Sequence, residues 1–151
     1  FCKWLCKDNL FIEMRYYVGV VKQQKNNAKS EKMYADQQHL FFKLLQQNVK
    51  IISGQLIQHR DKSYHEKGVD VRIAVEMIRL ARQDKYDIAY LLSSDTDLVP
   101  AVEEVLSFKK VVKYVGTADS QSFGLSKVTG NYLILRPEDI EPFFPETLKR
   151  I

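Results

Sequence analysis

Cysteine is nearly absent from this chain of 151 residues: only Cys2 and Cys6 occur, one helical turn apart. Two thiols cannot build a disulfide-rich scaffold, and no further Cys or His cluster stands by to complete a zinc site. Beside Phe1, Trp4 and Leu5 they read as small apolar groups on an amphipathic turn, which favours a reducing compartment and a cytoplasmic location. A run of about 18 apolar residues is also lacking, so no membrane span is expected. Internal repeats, low-complexity tracts and linkers are missing too, and the chain reads as one domain with a single core. It has no initiator methionine and opens Phe1-Cys2-Lys3. A processed chain or a fragment is therefore expected, which leaves a signal peptide open.

What remains is ordinary folded material, 45% apolar and 28% charged, which argues against disorder. The net charge is +4 but unevenly spread. Residues 1–50 carry 9 basic and 4 acidic side chains, whereas residues 51–151 carry 14 and 15. A basic front beside a carboxylate-bearing remainder fits a polyanionic ligand, although modest positive charge also simply keeps a domain soluble.

The pattern along the chain alternates strands and helices. Residues 1–7 read as the end of a helix, and residues 10–20, with Phe11, Ile12, Tyr16, Tyr17 and Val18, as a strand. After a basic loop, Ser30 is expected to cap a helix in which Met33, Gln37, Leu40, Phe41, Leu44 and Leu45 share a helical spacing. A strand follows over 49–57, then a polar stretch over 58–68 closed by Lys67-Gly68. Ile73, Ala74, Met77, Ile78 and Ala81 mark a second amphipathic helix over 69–83. The unbroken apolar run at 88–92 predicts a strand buried on both faces. A helix over 98–108, strands over 111–115 and 132–135, and a polar stretch between those strands complete the order, with a terminal turn or short helix over 136–145. This alternation predicts an α/β fold, a three-layer arrangement around a mainly parallel sheet.

In such sheets ligands bind beyond the carboxyl ends of strands. Asp95 and Asp97 lie at that end of the most apolar strand, and Asp70 opens the helix after Lys67-Gly68. Three carboxylates meeting at one point would repel each other and call for a divalent cation. Oxygen donors without Cys or His indicate Mg²⁺ or Mn²⁺. A bland reading stands beside this one: Asp97 as the N-cap of the next helix, and Asp70 as a first-turn acid complementing the helix dipole. Asp95 is harder to explain as a cap if Asp97 already fills that role. An Asp-x-Asp after an apolar strand also occurs where sugar-nucleotide transferases clamp a metal.

Several segments in order sharpen the picture. Glu66-Lys67-Gly68-Val69-Asp70-Val71, Ala74-Val75-Glu76-Met77-Ile78, Tyr86-Asp87-Ile88-Ala89 and Leu92-Ser93-Ser94-Asp95-Thr96-Asp97 with Val99-Pro100 together resemble the NYN domain, the LabA-like branch of the PIN-like nucleases. The likeness reaches upstream to Tyr16-Tyr17 and Gly54-Gln55-Leu56, and downstream to the strand over 111–116. It implies a PIN-like fold and metal-dependent RNA cleavage by an aspartate cluster. Asp70 matches the acid of the family's Lys-Gly-Val-Asp motif, Asp95 and Asp97 the pair of its Ser-Gly-Asp-x-Asp motif, and Ser93 and Thr96 its small hydroxyl positions. Ser94 replaces the usual Gly and Leu98 the usual Phe. Nothing in residues 1–9 matches the family's Phe-Ile-Asp-Gly-x-Asn-like first strand, which carries another acidic ligand, so the chain is expected to lack that element.

On this resemblance, Asp70, Asp95 and Asp97 would hold Mg²⁺ or Mn²⁺. Lys67, Ser93, Thr96 and the basic residues Lys22, Lys25 and Lys29 would meet single-stranded RNA. Tyr64 and His65 could stack on bases or simply belong to a loop. A homo-oligomer fits this reading as well as a monomer does. The rival reading is an RNA-binding or regulatory module without turnover.

Overall fold

A computed structural model describes residues 1–7, 9–23, 27–58 and 64–144. The chain divides into two compact units, residues 11–73 and residues 1–10 with 74–151. Each has its own three-stranded sheet, with helices and strands interleaved as in the expected α/β class.

In residues 11–73, β1 (Met14–Val20) runs parallel to β2 (Val49–Gln58), paired from Met14↔Val49 to Val20↔Gln55. Between them lies α2 (Ala28–Gln46), which follows a short N-terminal helix, α1 (Cys2–Cys6), of the other unit. The side chain of Asn27, not Ser30, caps α2 by accepting the Ser30 N–H at 3.1 Å. Ser30 lies inside the first turn, fully buried, and donates its hydroxyl to the Lys22 carbonyl at 3.1 Å. Gln37 ties α2 to the end of β1, accepting from Val21 N at 2.9 Å and donating to Gly19 O at 2.8 Å.

Two further sequence expectations need correction in this unit. The polar stretch before Gly68 contains a strand, β3 (Tyr64–Lys67), antiparallel to the second half of β2. Leu40 and Leu45 of α2 are exposed, while Met33, Gln37, Phe41 and Leu44 form the half-buried side. Among the described residues of this unit, the buried apolar side chains are Val21 and Val49.

The other unit carries the denser core. Strands β4 (Ile88–Leu92), β5 (Val111–Thr117) and β6 (Tyr132–Leu135) are all parallel, with β5 in the middle. Successive strand residues face opposite sides. Val112 and Tyr114 bury themselves on the side of α4 (Val99–Ser107) and α5 (Phe123–Thr129), together with Leu98, Val102, Val105 and Leu125. On the other side Val115 and Leu135 enclose Leu5 of α1, with Phe1, Tyr90 and Ile140 packed against them. The half-buried thiols of Cys2 and Cys6, neither of them in a disulfide, ride on this helix, as expected. A short helix, α6 (Pro137–Ile140), follows β6.

β4 departs from its expected double burial. Among the described residues it pairs only with β5, at an edge of their sheet, and Leu92 is exposed. Helix α3 (Val69–Arg82) begins in the first unit and ends in the second, where Met77 and Ala81 are buried. Among the described residues, no helix is long and apolar enough to cross a membrane.

Candidate functional site

Beyond the carboxyl end of β4 the chain makes one tight 3-10 turn, Thr96–Leu98, before α4. Asp95 caps it: Oδ1 accepts the Asp97 N–H at 2.9 Å, and the Asp95 N–H donates to Ser93 Oγ at 3.1 Å. Leu98, almost wholly buried, pins the turn into the core, and Pro100 sits harmlessly in the first turn of α4. The capping roles are thus reversed from the sequence reading. Asp97 does not cap α4, whose N-cap is Leu98 with no side-chain bond, and the Asp97 carboxylate is exposed. Asp95 spends one oxygen on the turn and keeps the other.

Thr96, between the two acids, shares a hydrogen bond with Ser122 at 3.1 Å. Ser93 is half-buried and Ser94 exposed. The two aspartates therefore share one turn, flanked by small hydroxyl residues whose own hydrogen bonds hold that turn in shape.

Asp70 is built differently. Gly68 adopts φ 86°, a left-handed conformation that turns the chain from β3 into α3. The first helical bond runs from Arg72 N to Gly68 O at 3.0 Å, and Asp70 is half-buried in the first turn. An acid there complements the partial positive charge of the helix start. Glu66, which the sequence reading passed over, accepts the Val69 N–H on Oε1 at 2.8 Å and so satisfies one of the donors left open at that helix start. The signal for it was a carboxylate three residues before a helix opening. Lys67 is exposed and pairs with Gln55 in the ladder.

Of the basic front, Lys22 and Lys29 are exposed, and Lys25 lies outside the described residues. Tyr64 and His65 belong to β3, but their side chains also lie outside the described set. Among the described residues, no group of three His, Cys, Asp or Glu side chains could hold a metal ion. The pair Asp95 and Asp97 offers hard oxygen donors without sulfur or imidazole. That chemistry suits a cation such as Mg²⁺, which binds through one or two carboxylates and keeps much of its water.

Comparisons with known proteins agree on the class. The sequence profile of the NYN domain matches residues 7–135. No curated protein matches the chain. Among solved structures, a protein of unknown function from Vibrio parahaemolyticus RIMD 2210633 superposes with a TM-score of 0.61 at 22% identity, covering 84% of this chain and 70% of that one, which shows a shared fold. A PLP-bound protein from Clostridium difficile 630 aligns with a TM-score of only 0.34 at 7% identity, over 87% of this chain and 33% of that one, too weak to carry any argument.

Proposed function

The chain belongs to the NYN domain family, and we propose that it is a metal-dependent ribonuclease of the LabA-like branch, hydrolysing phosphodiester bonds of single-stranded RNA in the cytoplasm. The observation that carries this reading is the pair Asp95 and Asp97 on one capped turn at the carboxyl end of a parallel strand. A carboxylate fixed by a backbone hydrogen bond, with a second exposed carboxylate two residues on, gives a hard-donor site that a cap alone does not require.

In this reading Asp95 and Asp97 bind Mg²⁺ or Mn²⁺. Bound there, the ion supplies Lewis-acid chemistry, activating water and offsetting charge on the phosphate. Asp95 keeps its second oxygen for this task while its first holds the turn. Lys67 neutralises a phosphate of the RNA, and Ser93 and Thr96 line the approach to the carboxylates. Lys22, Lys25 and Lys29 draw the strand in through sequence-independent attraction, which makes binding weaken as salt rises.

The test is incubation of the full-length protein with labelled single-stranded RNA and Mn²⁺, with EDTA and Asp97→Asn controls. Cleavage that disappears in both controls is expected. Salt-sensitive binding with no metal-dependent cleavage would replace this reading with that of an RNA-binding module, and the same experiment on duplex RNA reports strand preference. Sedimentation at working concentration decides between a monomer and a homo-oligomer.

A further inference from the structure

The first turn of α5 lies directly on the carboxylate turn. Tyr114, fully buried in β5, accepts the Ser122 N–H on its hydroxyl at 2.7 Å. Ser122 is itself buried at 3% exposure and caps α5, its Oγ accepting the Leu125 N–H at 3.2 Å. The same oxygen shares a hydrogen bond with Thr96 Oγ1, 3.1 Å away, in which either hydroxyl can donate. Gly124 closes the contact: a Cβ at that position would stand 2.6 Å from Thr96 Cγ2 and 3.3 Å from Val99 Cγ2. Only a residue without a side chain lets α5 approach this closely.

Thr96 stands between Asp95 and Asp97 in sequence, so whatever fixes its side chain fixes the backbone that presents both carboxylates. A hydroxyl on a helix cap is commonplace, but this one has three further features. It is buried, it hangs from a fully buried tyrosine, and its spare hydrogen bond goes to the residue between the two acids. Aspartates on a tight turn need such support, because the 3-10 turn itself spans only three residues.

We propose that Ser122, seated on Tyr114 and brought close by Gly124, is a positioning residue that braces the Asp95-Thr96-Asp97 turn through the Thr96 hydroxyl. The proposal rests on the ribonuclease reading for its consequence in catalysis, but the brace itself is a property of the folded chain. Its effect on a bound metal follows the general behaviour of groups that orient ligands without touching the ion, whose removal costs about 10- to 100-fold in affinity.

Two measurements on the full-length protein separate the brace from the reading it serves. The first is amide hydrogen exchange without metal, comparing wild type with Ser122→Ala, Gly124→Ala and the surface variant Thr96→Val, with Ser126→Ala as control. The Ser126 hydroxyl bonds within α5, to the Ser122 and Phe123 carbonyls, and does not reach Thr96. The Asp97 and Leu98 amides are expected to exchange about tenfold faster in the first three variants and unchanged in the control. Thr96→Val keeps the side-chain shape at an exposed position and so remains informative if Ser122→Ala fails to fold. Unchanged exchange in Thr96→Val, or equal acceleration in Ser126→Ala, overturns the brace.

The second measurement is Mn²⁺ titration with RNA cleavage. Ser122→Ala and Gly124→Ala are expected to weaken Mn²⁺ binding about tenfold and to lower kcat with KM for RNA unchanged. A purely structural role would lower the melting temperature and leave the affinity of the folded fraction intact, and that result overturns the proposal. Wild-type protein that neither binds Mn²⁺ nor cleaves RNA, while the exchange pattern holds, removes the ribonuclease reading and leaves the brace standing.

Discussion

Glu66 reaches across the end of β3 to cap the helix that carries Asp70, its Oε1 accepting the Val69 N–H at 2.8 Å. The side chain lies over two glycines that are themselves paired across the parallel strands, Gly19 and Gly54. Removing the carboxylate with Glu66→Ala leaves a helix-start donor without its partner and should cost about 1 kcal/mol. Glu66→Gln keeps an acceptor oxygen and should cost less than half of that. Denaturant titration of the two variants side by side checks the difference.

Gly54 makes that cap sterically possible. A Cβ there would stand 2.7 Å from Val69 Cγ2, 2.8 Å from Glu66 Oε1 and 3.0 Å from the Lys67 carbonyl. One of these contacts is backbone and cannot swing away. Gly54→Ala is expected to destabilise residues 11–73 by about 1–3 kcal/mol, the usual cost of overpacking. Gly68→Ala should also destabilise the fold, but through its φ of 86°, since nothing lies within 4 Å of its would-be Cβ.

The start of β5 carries an acid-sensitive contact. Lys110 bonds to both Asp84 and Asp87, the latter at 2.9 Å. The hydrogen bond and then the charge of Lys110 hold the Asp84 carboxyl below its ordinary range. A depressed carboxyl adds stability that is fully present above its unfolded value, about 3.9, and is lost as pH falls through the lower folded value. Stability of Lys110→Met and wild type, measured from pH 7 to pH 2, should therefore converge at the acid end. A difference that persists unchanged at pH 2 would show that the contact works without the charge.

The two thiols should be sluggish nucleophiles. Burial raises both, opposed for Cys6 by Lys113. Fewer thiolates at neutral pH mean slower alkylation than a free cysteine shows, with a rate that climbs as pH rises past the usual thiol range. Iodoacetamide labelling from pH 7 to pH 10, read by mass spectrometry, checks this.

How far the sequence could be read depended on how each element gains its stability. α3, α4, β5 and the general α/β order were visible, because they bury periodic apolar residues such as Met77, Val102, Val105 and Val112. β3 was not, since Tyr-His-Glu-Lys has no apolar alternation and becomes a strand only by pairing with the end of β2. α5 was hidden by Gly124, a poor helix former whose place is set by contact with Thr96. The caps were ambiguous for a related reason. Ser30 and Asp97 both have capping chemistry, but their neighbours Asn27 and Asp95 occupy the positions with extended backbone where a cap must sit. The Asp95/Asp97 pair itself was legible, whereas its support Ser122 acts through a tertiary hydrogen bond to Thr96 that no spacing rule announces.

The central claim is that Asp95 works as a metal ligand and not merely as a cap, and one substitution separates the two. Asp95→Asn keeps an oxygen to accept the Asp97 N–H, as asparagine caps about as well as aspartate, but removes the negative charge. Mn²⁺-dependent cleavage of single-stranded RNA by the full-length protein should fall by about a hundredfold or more in this variant, about 2.7 kcal/mol of lost transition-state stabilisation, with the melting temperature unchanged. Equal cleavage by wild type and Asp95→Asn, or none by wild type, would contradict the account.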